Sequence, residues 1–176
     1  MRAVLDACVL FPTVLREILT ETAAAGAYSP LWSQRILDEW TGAAHRLGAD
    51  QARVAGVEAA LLADRFPAAM VRPTAIPAAD LPDSGDLHVL AAAISGDAQL
   101  IVTANLRDFP RRVLADYGLR AIHPDAFLLD LPAVLVAPAV ASTHARVLAA
   151  GGDMTPREML KRARLPRLAR ALAAQP

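Results

Sequence analysis

Two adjoining stretches constrain this chain more than any others: Leu81-Pro-Asp-Ser-Gly-Asp-Leu-His-Val-Leu-Ala-Ala-Ala-Ile94 and Leu100-Ile-Val-Thr-Ala-Asn-Leu-Arg-Asp-Phe-Pro110. The first reads as a loop feeding a helix, with Asp83 and Asp86 at its mouth. The second reads as a buried strand ending at Thr103, followed by a polar turn that carries Asn105 and Asp108. A helix start and a strand end, both bearing carboxylates, are thus close in sequence. In an open α/β sheet, sites form in the crevice beyond the carboxyl ends of the strands. The pattern therefore asks which other acids arrive there.

Read from its start, the chain opens with a short apolar strand over residues 2–5 that runs straight into Asp6. After Pro12, the residues Val14, Leu15, Ile18 and Leu19 recur at helical spacing, and Gly26 supplies a stop. Residues 28–31 are extended. Ser33 is an N-cap for a helix whose buried face is Ile36, Leu37 and Trp40, with Asp38 and Glu39 beside it. A helix over 50–64 is expected to turn Val54, Val57, Leu61 and Leu62 inward. Residues 69–71 read as a strand and 72–82 as a proline-rich connection. The helix after Gly85-Asp86 carries Val89, Leu90, Ala93 and Ile94 inward and stops at Gly96. A short helix over 110–117 ends at Gly118, and 119–122 is a further strand.

Strands alternating with helices at this interval predict a central parallel sheet covered on both faces, a three-layer α/β/α sandwich. From Pro124 the strand signals cease. Helical pieces follow over 125–131, 133–150 and from 155 on, with Gly151-Gly152 as a hinge and Pro166 splitting the tail. Thr155-Pro156-Arg157-Glu158 is a capping box with proline at the first helical position. The expected organisation is an α/β domain over 1–124 and a C-terminal helical extension over 125–176, packed on that body.

An apolar fraction of 55% ensures a sizeable core. The net charge of +0 points to neither nucleic acid nor a membrane surface, but the charges are unevenly placed. From Arg157 on there are six basic residues and one acid, which leaves 12 basic and 17 acidic residues before it. The body is acidic and the tail basic. Cys8 is the sole cysteine, which excludes an internal disulfide and a thiolate metal cluster and fits a reducing cytoplasm. The N-terminus meets charge too early for a signal peptide. The apolar run 126–140 is too short for a membrane span and is broken by Asp130, Pro132 and Pro138. The expectation is a soluble cytoplasmic protein.

Four acids come from separate elements: Asp6 after the first strand, Glu39 on the second helix, Asp86 at a later helix start and Asp108 after the clearest strand. Converging in one crevice, they suit hard divalent cations, which take oxygen ligands and can activate water against a phosphodiester. Each has a plainer reading. Asp83 or Asp86 fits a helix cap, Asp38 a solvated face, and Asp108 a turn. Asp6 is hardest to explain away, because it directly follows a buried strand. His88 is read as a surface residue facing away from Asp86, and Cys8 as small buried packing. Thr103 and Asn105 can orient a water or an acid, or only satisfy the turn. Arg107, Arg111 and Arg112 form a basic cluster where a phosphate backbone would be met, or ordinary surface.

The segments Leu5-Asp6-Ala-Cys-Val-Leu-Phe-Pro12, Pro30-Leu-Trp-Ser-Gln-Arg-Ile-Leu-Asp-Glu-Trp40, Pro82-Asp-Ser-Gly-Asp-Leu-His-Val-Leu-Ala-Ala-Ala93 and Ile101-Val-Thr-Ala-Asn-Leu-Arg-Asp-Phe-Pro110 occur in an order and spacing that resemble a PIN domain, of the kind found in VapC-like toxins of bacterial toxin–antitoxin pairs. The resemblance covers the chain up to about residue 125. It implies a Mg²⁺- or Mn²⁺-dependent endoribonuclease. Its catalytic acids would fall on Asp6, Glu39, Asp86 and Asp108, with Asp6, Asp86 and Asp108 as metal ligands and Asp83 as helper or substitute for Asp86. Thr103 and Asn105 match the polar positions at the strand end. It also implies an RNA substrate, a protein antitoxin and a homodimer. The helical extension exceeds the compact form of such domains, and its basic tail is free to bind RNA, support a dimer or cap the core.

Two other readings stay open. A haloacid-dehalogenase-like phosphatase also begins with a strand ending in Asp, but it would carry a second Asp where this chain has Cys8, and the sole lysine, Lys161, lies in the tail. A PIN-like binding module without catalysis would share the fold. Divalent-metal binding that is lost in Asp6→Asn separates the enzyme from the module.

Overall fold

The computed structural model describes residues 1–174, so the end of the expected extension, 175–176, lies outside the described residues. The chain forms two compact units, one of Met1–Phe11 with Ser29–Ile122 and one of Pro12–Tyr28 with the residues from His123 on. Helices are numbered in chain order across both.

The first unit holds a five-stranded sheet of β1 (Arg2–Leu5), β2 (Ser29–Ser33), β3 (Met70–Val71), β4 (Leu100–Val102) and β5 (Arg120–Ile122). The order is β3-β2-β1-β4-β5 and every pairing is parallel. Val4 of the central strand pairs with Leu31 on one side and Ile101 on the other. Ala3, Val4, Leu5, Ile101 and Val102 are all fully buried, the unbroken apolar run expected where helices cover both faces of a parallel sheet. The helices of this unit are α1 (Ala7–Leu10), α3 (Gln34–His45), α4 (Ala49–Arg65), α5 (Leu87–Ser95) and α6 (Arg111–Ala115). The expected α/β/α sandwich with a helical C-terminal extension is the fold that forms.

Because the strands are parallel, their carboxyl ends lie along one edge. Asp6 follows β1 there and Thr103 follows β4. Ser33 ends β2 and caps α3, its hydroxyl accepting the Ile36 N–H at 3.3 Å, as its side chain and position lead one to expect. Gly96 closes α5 for a reason of space. A Cβ there would lie 2.7 Å from Leu31 Cδ1 and 3.0 Å from Val71 Cγ1, so glycine lets the helix end come down on β2 and β3.

Three expectations about faces are corrected. On α4, Val54, Val57 and Leu61 are 49%, 56% and 63% exposed, and the buried face is Ala55, Ala59 and Leu62. Small residues at that spacing let α4 lie close against α3, and the larger apolar side chains one step round the helix are left outside. On α5, Ile94 is exposed. His88, expected at the surface, is only 4% exposed. Its neighbours Val89, Leu90, Ala91, Ala92 and Ala93 are buried too, and a helix buried around its circumference encloses whatever residue it carries.

The second unit is helical: α2 (Thr13–Ala24), α7 (Pro124–Asp130), α8 (Ala133–Ala149), α9 (Pro156–Arg162) and α10 (Pro166–Ala173). Arg146 of α8 meets Glu17 of α2 at 2.9 Å and Glu21 at 3.2 Å. Such part-exposed pairs contribute little, and the apolar contact carrying Ile18, Leu19, Val136 and Val140 does more. Tyr28 stands edge-on to Phe127, ring centres 4.8 Å apart. The Thr155–Glu158 capping box forms as read. α10 lacks a side-chain cap at Leu165. The buried carboxylate of Asp125 supplies one, accepting the N–H groups of Arg167 and Leu168, each at 2.9 Å. An anion at a helix N-terminus is favoured by both the unpaired N–H groups and the helix dipole.

The α4 face yields a direct test. Leu62→Ala should lower unfolding free energy by about 2–4 kcal/mol, the cost of an unfilled core site. Val57→Ala should change it by less than about 0.5 kcal/mol, as exposed substitutions do. Urea melts showing similar losses at both positions would contradict the observed face.

Candidate active site

Asp6 is placed by backbone before its side chain acts. Its N–H donates to Val102 O at 3.2 Å, which continues the β1–β4 pairing one residue past the strand. Its carbonyl accepts from Val9 N at 3.0 Å and so starts α1. The side chain, 5% exposed, does not cap that helix. Instead the Thr103 hydroxyl donates to Asp6 Oδ2 at 2.6 Å and the Cys8 thiol donates to the same oxygen at 3.0 Å. Thr103 Oγ1 in turn accepts the Asn105 N–H at 3.0 Å, and Cys8 Sγ accepts the Ala104 N–H at 3.3 Å. A buried carboxylate needs such partners. Thr103 comes from the end of the neighbouring strand, 97 residues away in sequence, and Cys8 from α1. Burial, and then the Asp6 charge, push the Cys8 thiol up to about 12, so it stays protonated and remains a donor. Cys8 is thus a half-buried hydrogen-bonding partner, where apolar packing had been expected.

Asp6, Glu39 and Asp86 line one cavity of about 320 Å³, together with Cys8, Trp40, Arg46 and Asn105. Glu39 reaches it from α3, and its Oε2 lies 3.3 Å from Nε2 of the buried His88. Burial, then the Asp6 charge, raise the Glu39 carboxyl above its ordinary range, with Arg35 opposing. Asp86 ends a short 3₁₀ turn, Ser84–Asp86, that feeds α5. Its carboxyl is pushed up to about 6, first by burial and then by the charges of Asp6, Asp83, Asp108 and Glu39. Like charges near a carboxyl favour its neutral form, so the whole acidic set acts on this one group.

The remaining expected residues sit around that centre. Asp83 fills the capping role, its Oδ1 accepting the Gly85 N–H at 2.7 Å. Asp108 lies in the turn Leu106–Asp108, outside the cavity wall but near enough for its charge to act on Asp86. Thr103 is buried behind Asp6, and Asn105 is at the rim. Arg107 is exposed and 3.6 Å from Asp108. Arg111 is exposed on α6, and Arg112 is 4.0 Å from Asp80. Asp38 is solvated as read and accepts from Gln34 Nε2 at 2.9 Å.

Residues 2–107 match the model of a family described as "PIN domain". The chain belongs to the PIN-domain family. Asp6, Glu39 and Asp86 fall inside the matched residues, and Asp108 lies just beyond them. The PIN domain is also similar to a protein of Mycobacterium tuberculosis (strain ATCC 25618 / H37Rv) named "Putative ribonuclease VapC50", 56% identical over 45 residues, which are 26% of this chain and 27% of that one. The chain thus aligns with about a quarter of the length of this curated relative. No solved structure matches the chain. Among the described residues, no helix is long and apolar enough to cross a membrane.

Among the described residues, no group of three or more His, Cys, Asp or Glu side chains stands close enough together to hold a metal ion. The acids of this PIN domain face one another across a cavity. Their carboxylate oxygens are the donor type that Mg²⁺ and Mn²⁺ take, and such ions keep several waters and use few protein ligands. Sequence reasoning did not single out His88, Cys8 or Arg46 as site residues. The signal for His88 was present: Leu87-His-Val-Leu-Ala-Ala-Ala-Ile94 is apolar around the helix, so a histidine there is enclosed.

Asp86 gives the site a pH signature. A carboxyl raised in the fold holds its proton longer than in the unfolded chain, so stability falls as pH climbs from the ordinary 3.8 to about 6 and stays low above. Asp86→Asn should therefore melt higher than the metal-free parent at about pH 8, with the difference vanishing by about pH 3. Equal melting temperatures at both pH values would remove the crowding from the account.

Proposed function

We propose that this PIN domain is a metal-dependent endoribonuclease that hydrolyses RNA phosphodiester bonds, acting in the cytoplasm as the toxin of a toxin–antitoxin pair. The observation that carries this is the convergence of Asp6, Glu39 and Asp86 on one cavity, with Asp108 and Asp83 close enough to raise Asp86. A purely structural carboxylate gains nothing from such company. The printed name of the M. tuberculosis relative supports the ribonuclease reading. The toxin role, the antitoxin partner and a homodimer rest on the resemblance to VapC-like proteins.

In this mechanism Asp6 and Asp86 from the cavity wall, with Asp108 from the adjoining turn, would hold the cation. When bound, Mg²⁺ or Mn²⁺ supplies charge for the phosphodiester oxygens and lowers the pKa of the attacking water. The chain's own residues prepare the rest. Thr103 and Cys8 fix Asp6 through Oδ2, so that its carboxylate would be held ready for the ion. Glu39, whose raised carboxyl makes it the stronger base when ionised, would take a proton at a carboxylate oxygen, while His88 Nε2, 3.3 Å away, holds Oε2 in place. Asn105 orients the substrate at the rim, with Asp83 supporting the turn that presents Asp86. Arg107, Arg111 and Arg112 meet phosphates of the flanking RNA. The nuclease is assigned to residues 1–124, with 125–176 as its helical extension.

The test is cleavage of a mixed RNA pool with Mn²⁺ or with EDTA. Cleavage should occur only with the metal. Asp6→Asn and Glu39→Gln should each lower it by about 100-fold or more, the scale of lost acid–base assistance. Asp38→Asn, on the solvated side of the same helix, should stay within about twofold. A folded protein that neither cleaves RNA nor binds Mn²⁺ would replace the nuclease with a binding module. Equal losses at Asp38 and Glu39 would refute the assigned helix face.

A further inference from the structure

A second cavity, of about 540 Å³, lies in the same unit and is lined by Ser33, Arg35, Met70, Val71, Arg72, Pro73, Ile76 and His88 among others. It is within the range that holds small organic ligands, roughly 300–1,000 Å³. Met70, Val71, Pro73 and Ile76 give it apolar walls, and Ile76 is 56% exposed. Arg35 and Arg72 stand exposed at its border. The acidic residues named in the catalytic mechanism do not line it.

The two cavities share a partition. His88 lines the apolar one, Glu39 lines the acidic one, and the two side chains meet at 3.3 Å. His88 Nδ1 is buried and has no hydrogen-bond partner among the described residues. An unpaired polar atom at that depth is costly.

We propose that this cavity seats one unstacked base of the single-stranded substrate, directly beside the site of cleavage, and so selects the nucleotide accepted there. The proposal rests on the nuclease reading. The chemistry is that of single-strand RNA recognition: bases splayed from the strand lie against apolar or guanidinium surfaces, and cations follow the backbone. Ile76 and Met70 take the base faces. Arg35 and Arg72 take the adjoining phosphates, which the acids next door would repel without a cation. A strand with its base in this cavity runs past His88 and Glu39 into the acidic one.

The experiment is binding of the four nucleoside 5′-monophosphates, and of ribose 5-phosphate as the base-free control, to the metal-free full chain by NMR titration. One nucleotide should bind more tightly than the others and than ribose 5-phosphate. Ile76→Glu and Arg72→Ala, both at exposed positions, should each weaken it by about tenfold, the scale of one charged contact, while Asp6→Asn retains it. RNA cleavage by Ile76→Glu should show a raised KM and a changed preference at the cut. Nucleotide binding without RNA cleavage would support the cavity and overturn the nuclease. RNA cleavage with unaltered KM and preference in both cavity variants would overturn the cavity and leave the nuclease standing. Nucleotide binding that is lost in Asp6→Asn and untouched in Ile76→Glu would also overturn it, by placing the nucleotide among the acids.

Discussion

The hydrogen bond from Thr103 to Asp6 ties this molecule's fold to its chemistry. It joins the ends of two adjacent parallel strands and holds a buried carboxylate at 2.6 Å. A buried charge without partners would be expelled or neutralised. Thr103 and Cys8 supply those partners on one oxygen. Glu39, Asp86 and Cys8 all feel the charge of Asp6, and each carries a raised pKa in consequence of burial and of that charge. The site is a crowd of like charges arranged around one anchored member.

The fold makes that crowd possible without making it comfortable. Parallel pairing brings Asp6 and Thr103 to the same edge of the sheet. The Ser33 cap starts α3 so that Glu39 leans over that edge, and the turn capped by Asp83 delivers Asp86 from the other side. The stability to hold repelling groups together comes from elsewhere, from the buried apolar residues of the central strands β1 and β4 and from α5, which is buried nearly all round. Burial of that kind contributes about 1.5–3 kcal/mol for each large apolar side chain. Strain at a functional site that is offset by the surrounding packing is a common arrangement.

What was legible in the sequence was local chemistry. Strand runs that end in Asp6 and Thr103, the Ser33 cap and the Thr155 box are written within a few residues of where they act. The α4 face was not legible, because Val54, Val57 and Leu61 share their helical spacing with Ala55, Ala59 and Leu62. Size favoured the first set, and only the close approach of α3 selects the second. The hydrogen bonds of Cys8 are hidden for a related reason. Its partners, Asp6 and Thr103, come together only when β1 and β4 pair. Taken as one residue near a helix start, His88 looks exposed, but the apolar circumference of the helix determines its environment. The acids at strand and helix ends were found because a carboxylate at the edge of an apolar run stands out. Which of them line the cavity was decided by tertiary placement, with Asp83 used as a cap and Asp108 set outside the wall.

The central claim is that the acids around Asp6 form a cation site, and its most direct test is calorimetric titration of Mn²⁺ into the purified protein at about pH 6, near the Asp86 midpoint. Run in two buffers of different ionisation enthalpy, the titration counts protons as well as heat. Binding with release of protons, and loss of both in Asp6→Asn, is the predicted result, because metal must displace the proton that crowding holds on Asp86. No binding, or binding of equal strength with no proton release in Asp6→Asn, would contradict it.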